Sequence, residues 1–122
     1  MNILPPVERT NTILYCDKWS ETVAFYAKQL GLPVAFRSNW LVEFALSETA
    51  RVSVADASRT TVKSAAGQGI TLSLEMENLE SVRQIITHRG IVATRIKDHP
   101  MQARVFYFFD PEGHRIEIWS PA

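Results

Sequence analysis

Glu117 stands in the run Arg115-Ile-Glu-Ile-Trp119 near the end of the chain, and its carboxylate is the group best suited to chemistry. Alternation along that run puts Ile116 and Ile118 on one face and Arg115, Glu117 and Trp119 on the other. A carboxylate turned into a cleft is costly unless it is paired or hydrogen-bonded, by several kcal/mol. Two roles are open to it. Paired with Arg51 or Arg115 it forms a static polar cluster. With a raised proton affinity it serves as a general base, or as a hydrogen-bond acceptor for a ligand.

The histidines offer less. His88 falls in the last turn of a predicted helix, where the helix dipole favours its charge. His114 precedes Glu117 by an odd spacing, which puts the two on opposite faces of a regular strand. His99 sits in the loop Lys97-Asp-His-Pro100, whose closure over a cleft is the exception to an otherwise structural expectation for all three. Alternation turns Cys16 into the core, as packing rather than as a nucleophile.

These residues must be positioned by regular elements, and the elements repeat. Asn11 to Cys16 reads as a strand, Ser20 as an N-cap, Glu21 to Leu30 as a helix and Gly31 as its stop. Ile70 to Met76, Leu79 to Arg89 and Gly90 repeat that order. After the first helix come strands over Pro33 to Arg37, Trp40 to Leu46 and Arg51 to Ala55. After the second come Val92 to Ile96, Val105 to Phe109 and Arg115 to Trp119, the last two joined by the turn Asp110-Pro-Glu-Gly113. The pattern is β-α-β-β-β twice, an α+β fold. Repeat one covers about residues 11–56, a Ser/Thr/Ala/Gly-rich linker about 57–69, and repeat two about 70–120 of a single 1–122 domain.

Alternation assigns Leu14, Cys16, Val42, Phe44, Leu46, Val52, Val54, Leu72, Leu74 and Met76 to the core faces. The opposite faces then carry Asn11, Tyr15, Glu43, Arg51, Ser53, Thr71, Glu75, Arg115, Glu117 and Trp119. Such a face is either washed by solvent or the wall of a pocket.

Composition excludes several classes. The chain has 122 residues, 46% of them hydrophobic and 21% charged, an ordinary globular balance in one domain. Thirteen basic and thirteen acidic residues cancel, so the clustered positive field of a nucleic-acid binder is not expected. No apolar run is long enough to span a bilayer, and Met1 to Thr10 lacks the apolar region of a signal peptide. A single cysteine suits a reducing interior, and a cytoplasmic location is expected.

Phe25-Tyr26-x-x-x-Leu30-Gly31-Leu32 and Phe108-Phe-Asp-Pro-Glu-Gly-His-Arg-Ile-Glu117 resemble motifs of the vicinal-oxygen-chelate superfamily, the glyoxalase/bleomycin-resistance/dioxygenase group. The resemblance runs from about Thr12 to Ser120. It implies two cupped mixed sheets around a cavity with helices on the outer face, and turns Val105, Tyr107 and Phe109 toward that cavity. It places the family's metal-ligand positions on Asn11, Ser53, Thr71 and Glu117. One carboxylate with an amide and two hydroxyls is a poor set for a dication, so no metal cofactor is expected.

Three functions fit. The reading adopted is a metal-independent binder of a small, aromatic-containing molecule. Glu117 is then the candidate catalytic or acceptor group, with Asn11, Tyr15, Arg51, Ser53, Thr71, Tyr107, Arg115 and Trp119 as ligand-binding residues. The alternatives are a metal-dependent lyase, isomerase or dioxygenase, and a non-catalytic structural or regulatory homodimer. A homodimer is expected in any case, since two-fold pairing is the commonest association.

Overall fold

The computed structural model describes residues 3–99 and 103–121. Pro100 and the His99 side chain, on which loop closure over a cleft rested, lie outside the described residues. So do Met1 and Asn2 at the start of the segment read for a targeting signal, and Ala122 at the end of the domain.

The first module comprises β1 (Thr10–Cys16), α1 (Trp19–Ala24), β2 (Val34–Arg37), β3 (Leu41–Ala45) and β4 (Ala50–Asp56). The second comprises β5 (Thr71–Glu75), α2 (Leu79–His88), β6 (Lys97–His99), β7 (Ala103–Phe109) and β8 (Arg115–Pro121). Their sheets run β1-β4-β3-β2 and β5-β8-β7-β6, each with one parallel pair and two antiparallel ones. The two βαβββ modules expected from the repeat are present.

Each helix packs on the apolar face of its own sheet, α1 on β1 and β4 and α2 on β8. The buried side chains of both modules form one continuous core. Aromatic rings knit it together: Phe25 lies 6.3 Å from Phe108 across the module boundary, and Tyr26 lies 5.8 Å from Phe44. Period-two alternation thus sorted the faces correctly for Leu14, Val42, Phe44, Val52, Val54, Ile116 and Ile118, and burial of Phe106 and Phe108 agrees with the orientation of their strand that the family resemblance implied.

Local departures have identifiable causes. Helix α1 begins at Trp19, one residue before the expected cap, and Ser20 caps nothing among the described residues. The N–H groups of Asp17 and Lys18 instead donate to the two carboxylate oxygens of Glu112, at 2.9 and 2.8 Å. A remote carboxylate does the work of a local cap. Beyond Ala24 the helix widens into a π-type turn over Phe25–Gln29, and Gly31 follows it at φ +68°. The strand expected over Val92 to Ile96 does not form. There the Thr94 hydroxyl accepts from the Tyr107 N–H at 3.0 Å, replacing a ladder carbonyl, and regular pairing with β7 begins only at Lys97. Met76, expected in the core, is 41% exposed because β5 ends one residue earlier.

Candidate functional site

The faces turned away from the helices carry the residues singled out in the sequence, and the two modules arrange them alike. Arg51 lies opposite Asn11 and Ala45 in register, and Arg115 lies opposite Thr71 and Phe109. Ser53 lies opposite Ile13 and Glu43, and Glu117 lies opposite Ser73 and Tyr107. The modules therefore match position for position.

On the first face, buried Ser53 donates its hydroxyl proton to Asn11 Oδ1 at 2.8 Å. Arg51 donates from Nη1 to the Ser47 carbonyl at 2.6 Å, and its Nε stands 3.4 Å from Glu43 Oε2. That Nε is buried and its alignment with Glu43 is too poor for a hydrogen bond, so this ion pair rests on charge rather than on a directed contact. Tyr15 is half-buried at the end of β1, opposite Ala55.

On the second face, Ser73 donates to Glu117 Oε2 at 2.5 Å. Arg115 donates from Nε to Thr71 Oγ1 at 3.0 Å, and its guanidinium carbon lies 5.3 Å from the centre of the Tyr107 ring. Tyr107 in turn meets Phe109 edge-on at 6.3 Å. Glu117, Trp119, Ser73 and Val105 line a hollow of about 180 Å³. A second hollow of about 470 Å³ opens beside it, walled by the chain from Ala66 to Thr71, by Phe109 and by Arg115.

Glu117 is paired with neither arginine. Among the described residues no hydrogen bond or ion pair joins the Asn11–Ser53 pair to the Thr71–Arg115 or Ser73–Glu117 pairs. Also among the described residues, no three His, Cys, Asp or Glu side chains stand close enough to share a metal ion.

A different polar cluster went unnoticed in the sequence. Asp110 and His114 are buried in the turn between β7 and β8. Asp110 Oδ1 accepts from the N–H groups of Glu112, Gly113 and His114 at 3.0, 3.0 and 2.9 Å. Its Oδ2 meets His114 Nδ1 at 2.8 Å and accepts from the Tyr26 hydroxyl at 2.8 Å. Burial, then the Asp110 charge, pushes the Tyr26 phenol well above its ordinary range. Glu112 also accepts the Ser64 hydroxyl, so it ties the linker as well as α1 to this turn. Burial alone would raise the Glu112 carboxyl, but hydrogen bonds from Ser64, Asp17 and Lys18 outweigh it and hold the group below its ordinary value. The signal available in the sequence was Asp-Pro-Glu-Gly-His itself, legible as a turn but not as a buried junction between modules.

One family model and three solved structures bear on this arrangement. A family model described as the Glyoxalase/Bleomycin resistance protein/Dioxygenase superfamily matches residues 9–118. A glyoxalase/bleomycin resistance protein/dioxygenase from Nocardioides superposes with a TM-score of 0.80 at 21% identity, over 98% of this chain and 85% of that one. Lactoylglutathione lyase from Agrobacterium tumefaciens gives 0.76 at 21% identity, over 95% of each chain. TnmS3, an antibiotic binding protein from Streptomyces sp. CB03234, gives 0.79 at 16% identity over 100% of both. No curated protein sequence matches the chain significantly. At such identities the structural likenesses establish the fold.

Proposed function

Since the chain belongs to the glyoxalase/bleomycin resistance protein/dioxygenase superfamily, we propose that it binds a small aromatic-containing molecule on the inner face of its second module, without a metal. The observation that carries this reading is the hollow walled by Glu117, Trp119 and Val105, in which an acceptor carboxylate held by Ser73 stands beside an indole ring. An apolar wall with one fixed polar group is the usual make-up of a small-molecule site. The half-buried ring of Tyr107, in register with Glu117, adds a second planar surface.

The donor chemistry at the family's metal positions argues against an ion. Asn11 and Ser53 are bonded to each other, Thr71 is bonded to a cationic guanidinium, and Glu117 is the one carboxylate of the four. A positive neighbour and neutral oxygens compensate poorly for dehydrating a dication. The antibiotic-binding neighbour, coextensive with this chain, is a precedent for binding a small molecule on this fold.

A homodimer belongs to the same reading. Val34 and Phe36 on β2, and Trp40 beside it, are exposed apolar side chains that pairing with a second copy would cover.

The test is a panel of aromatic compounds scored by thermal shift and tryptophan fluorescence. Saturable stabilisation by at least one member is expected, lost in Glu117→Gln or Tyr107→Ala. Stabilisation untouched by both substitutions, or stoichiometric iron, zinc, manganese or nickel in the purified protein, would overturn the proposal.

A further inference from the structure

The two modules place an arginine at the same point of the same face but surround it differently. In the first, the carboxylate sits on β3, as Glu43, and lies beside Arg51, while the matching β4 position holds Ser53. In the second, the carboxylate has moved to β8, as Glu117, and the β7 position holds Tyr107. Arg115 consequently faces a ring where Arg51 faces an acid. Its Nε is fixed by Thr71, and among the described residues its two terminal nitrogens donate to nothing and no carboxylate pairs with it.

Charge is therefore balanced within the first face and separated across the second. Arg115 opens on the hollow beside Gly67 to Thr71, whose lining, among the described residues, holds no acidic residue. Glu117 opens on the hollow beside Trp119, whose lining, among the described residues, holds no basic one. Tyr107 lies between them, its ring under Arg115 and its backbone in register with Glu117. Residues two apart on one strand face stand roughly 7 Å from each other, the span of a benzene ring substituted at opposite ends.

We infer that the second face takes a flat aromatic ligand bearing a carboxylate at one end, held by Arg115, and an ammonium or other N–H group at the other, held by Glu117. A guanidinium already fixed through Nε keeps two parallel donors for a carboxylate, which is the geometry arginine serves best. The Ser73 hydroxyl occupies Oε2 of Glu117 and leaves Oε1 for the ligand. The ring between the two groups stacks on Tyr107, with Phe109 at its edge. This inference rests on the proposed aromatic site and adds the polarity of what fills it.

Para-aminomethylbenzoate tests it by calorimetry on the full chain, beside benzoate, benzylamine and uncharged toluamide. The doubly substituted compound is expected to bind at least about tenfold more tightly than either singly charged one. Arg115→Gln should reduce it to the affinity of benzylamine, and Glu117→Gln to that of benzoate. Both residues lie at the surface of the sheet, and the salt dependence of wild-type binding gives a readout free of any substitution. Equal affinity for the doubly and singly charged compounds, or variants that do not discriminate them, overturns the inference. If toluamide binds as well as the rest and Glu117→Gln weakens it, the aromatic site stands and the charge assignment falls. If no aromatic compound binds, both fall together.

Discussion

The Tyr26 hydroxyl donates to Asp110 Oδ2 at 2.8 Å, which fastens the first module's helical segment to the second module's β7–β8 turn. Both groups are buried, and the same carboxylate oxygen also meets His114. Replacing Asp110 by Asn would put an amide N–H₂ where an acceptor is needed, or leave the turn's N–H groups unpaired. Asp110→Asn is therefore expected to cost about 3–5 kcal/mol in denaturant unfolding. Tyr26→Phe removes one donor and should cost about 1–3 kcal/mol. The double variant should lose less than the sum of the two, since both changes break the same contact.

Glu112 supplies a pH dependence whose sign is determined. Its carboxyl is held below the ordinary value of 4.5 in the folded state. A depressed carboxyl contributes stability that is complete above the unfolded value and disappears as pH falls through the folded one. Urea midpoints of the wild type should accordingly decline as pH drops below about 4.5. Glu112→Gln should be less stable near neutrality, with a difference from wild type that narrows on acidification. A gap that stays constant with pH would assign the stabilisation to packing rather than to charge.

Two glycines of similar backbone angle should respond differently to alanine. Gly67 has φ +78°, and a Cβ there would lie 2.1 Å from the Gly113 carbonyl carbon and 2.2 Å from its oxygen. Gly90 has φ +83° and open space around the same position. Gly90→Ala should therefore cost only the left-handed backbone penalty, about 1–2 kcal/mol. Gly67→Ala adds a backbone collision to that penalty and must push the linker off the β7–β8 turn. Its melting temperature should fall well below that of Gly90→Ala. Equal losses would mean the linker yields freely there.

What could be read from the sequence divides along the range of the interactions. Alternation and helical spacing act between neighbours, so Val52, Val54, Ile116 and Ile118 were assignable to the core and Glu117 to the opposite face. Contacts that cross the chain were not assignable. The cap of α1 comes from Glu112, and nothing near Ser20 hints that a carboxylate from the far module takes its place. Burial of Asp110 and His114 depends on Tyr26 arriving from the other repeat. At the candidate site, alternation places the residues on one face but does not give their partners. Both Arg51 and Arg115 were open as partners for Glu117, and the choices of Glu43 and Tyr107 follow from the β3 and β7 registers, which alternation leaves free.

Cys16 gives a last test, because a thiol so close to buried carboxylates could be mistaken for a reactive one. It is fully buried at the end of β1 and donates weakly to the Leu14 carbonyl at 3.6 Å. Burial first, and then the negative charges of Glu112 and Asp110, push its pKa to about 12. Only the thiolate is a nucleophile, and at neutral pH almost none forms. In the native protein the thiol should resist a disulfide reagent such as dithionitrobenzoate over hours, then react fully once urea unfolds the chain. If Asp110→Asn loosens the junction, labelling should accelerate in step with the lost stability when opening is reversible. Rapid labelling of the native wild type, with its melting temperature unchanged, would show that the end of β1 opens without global unfolding.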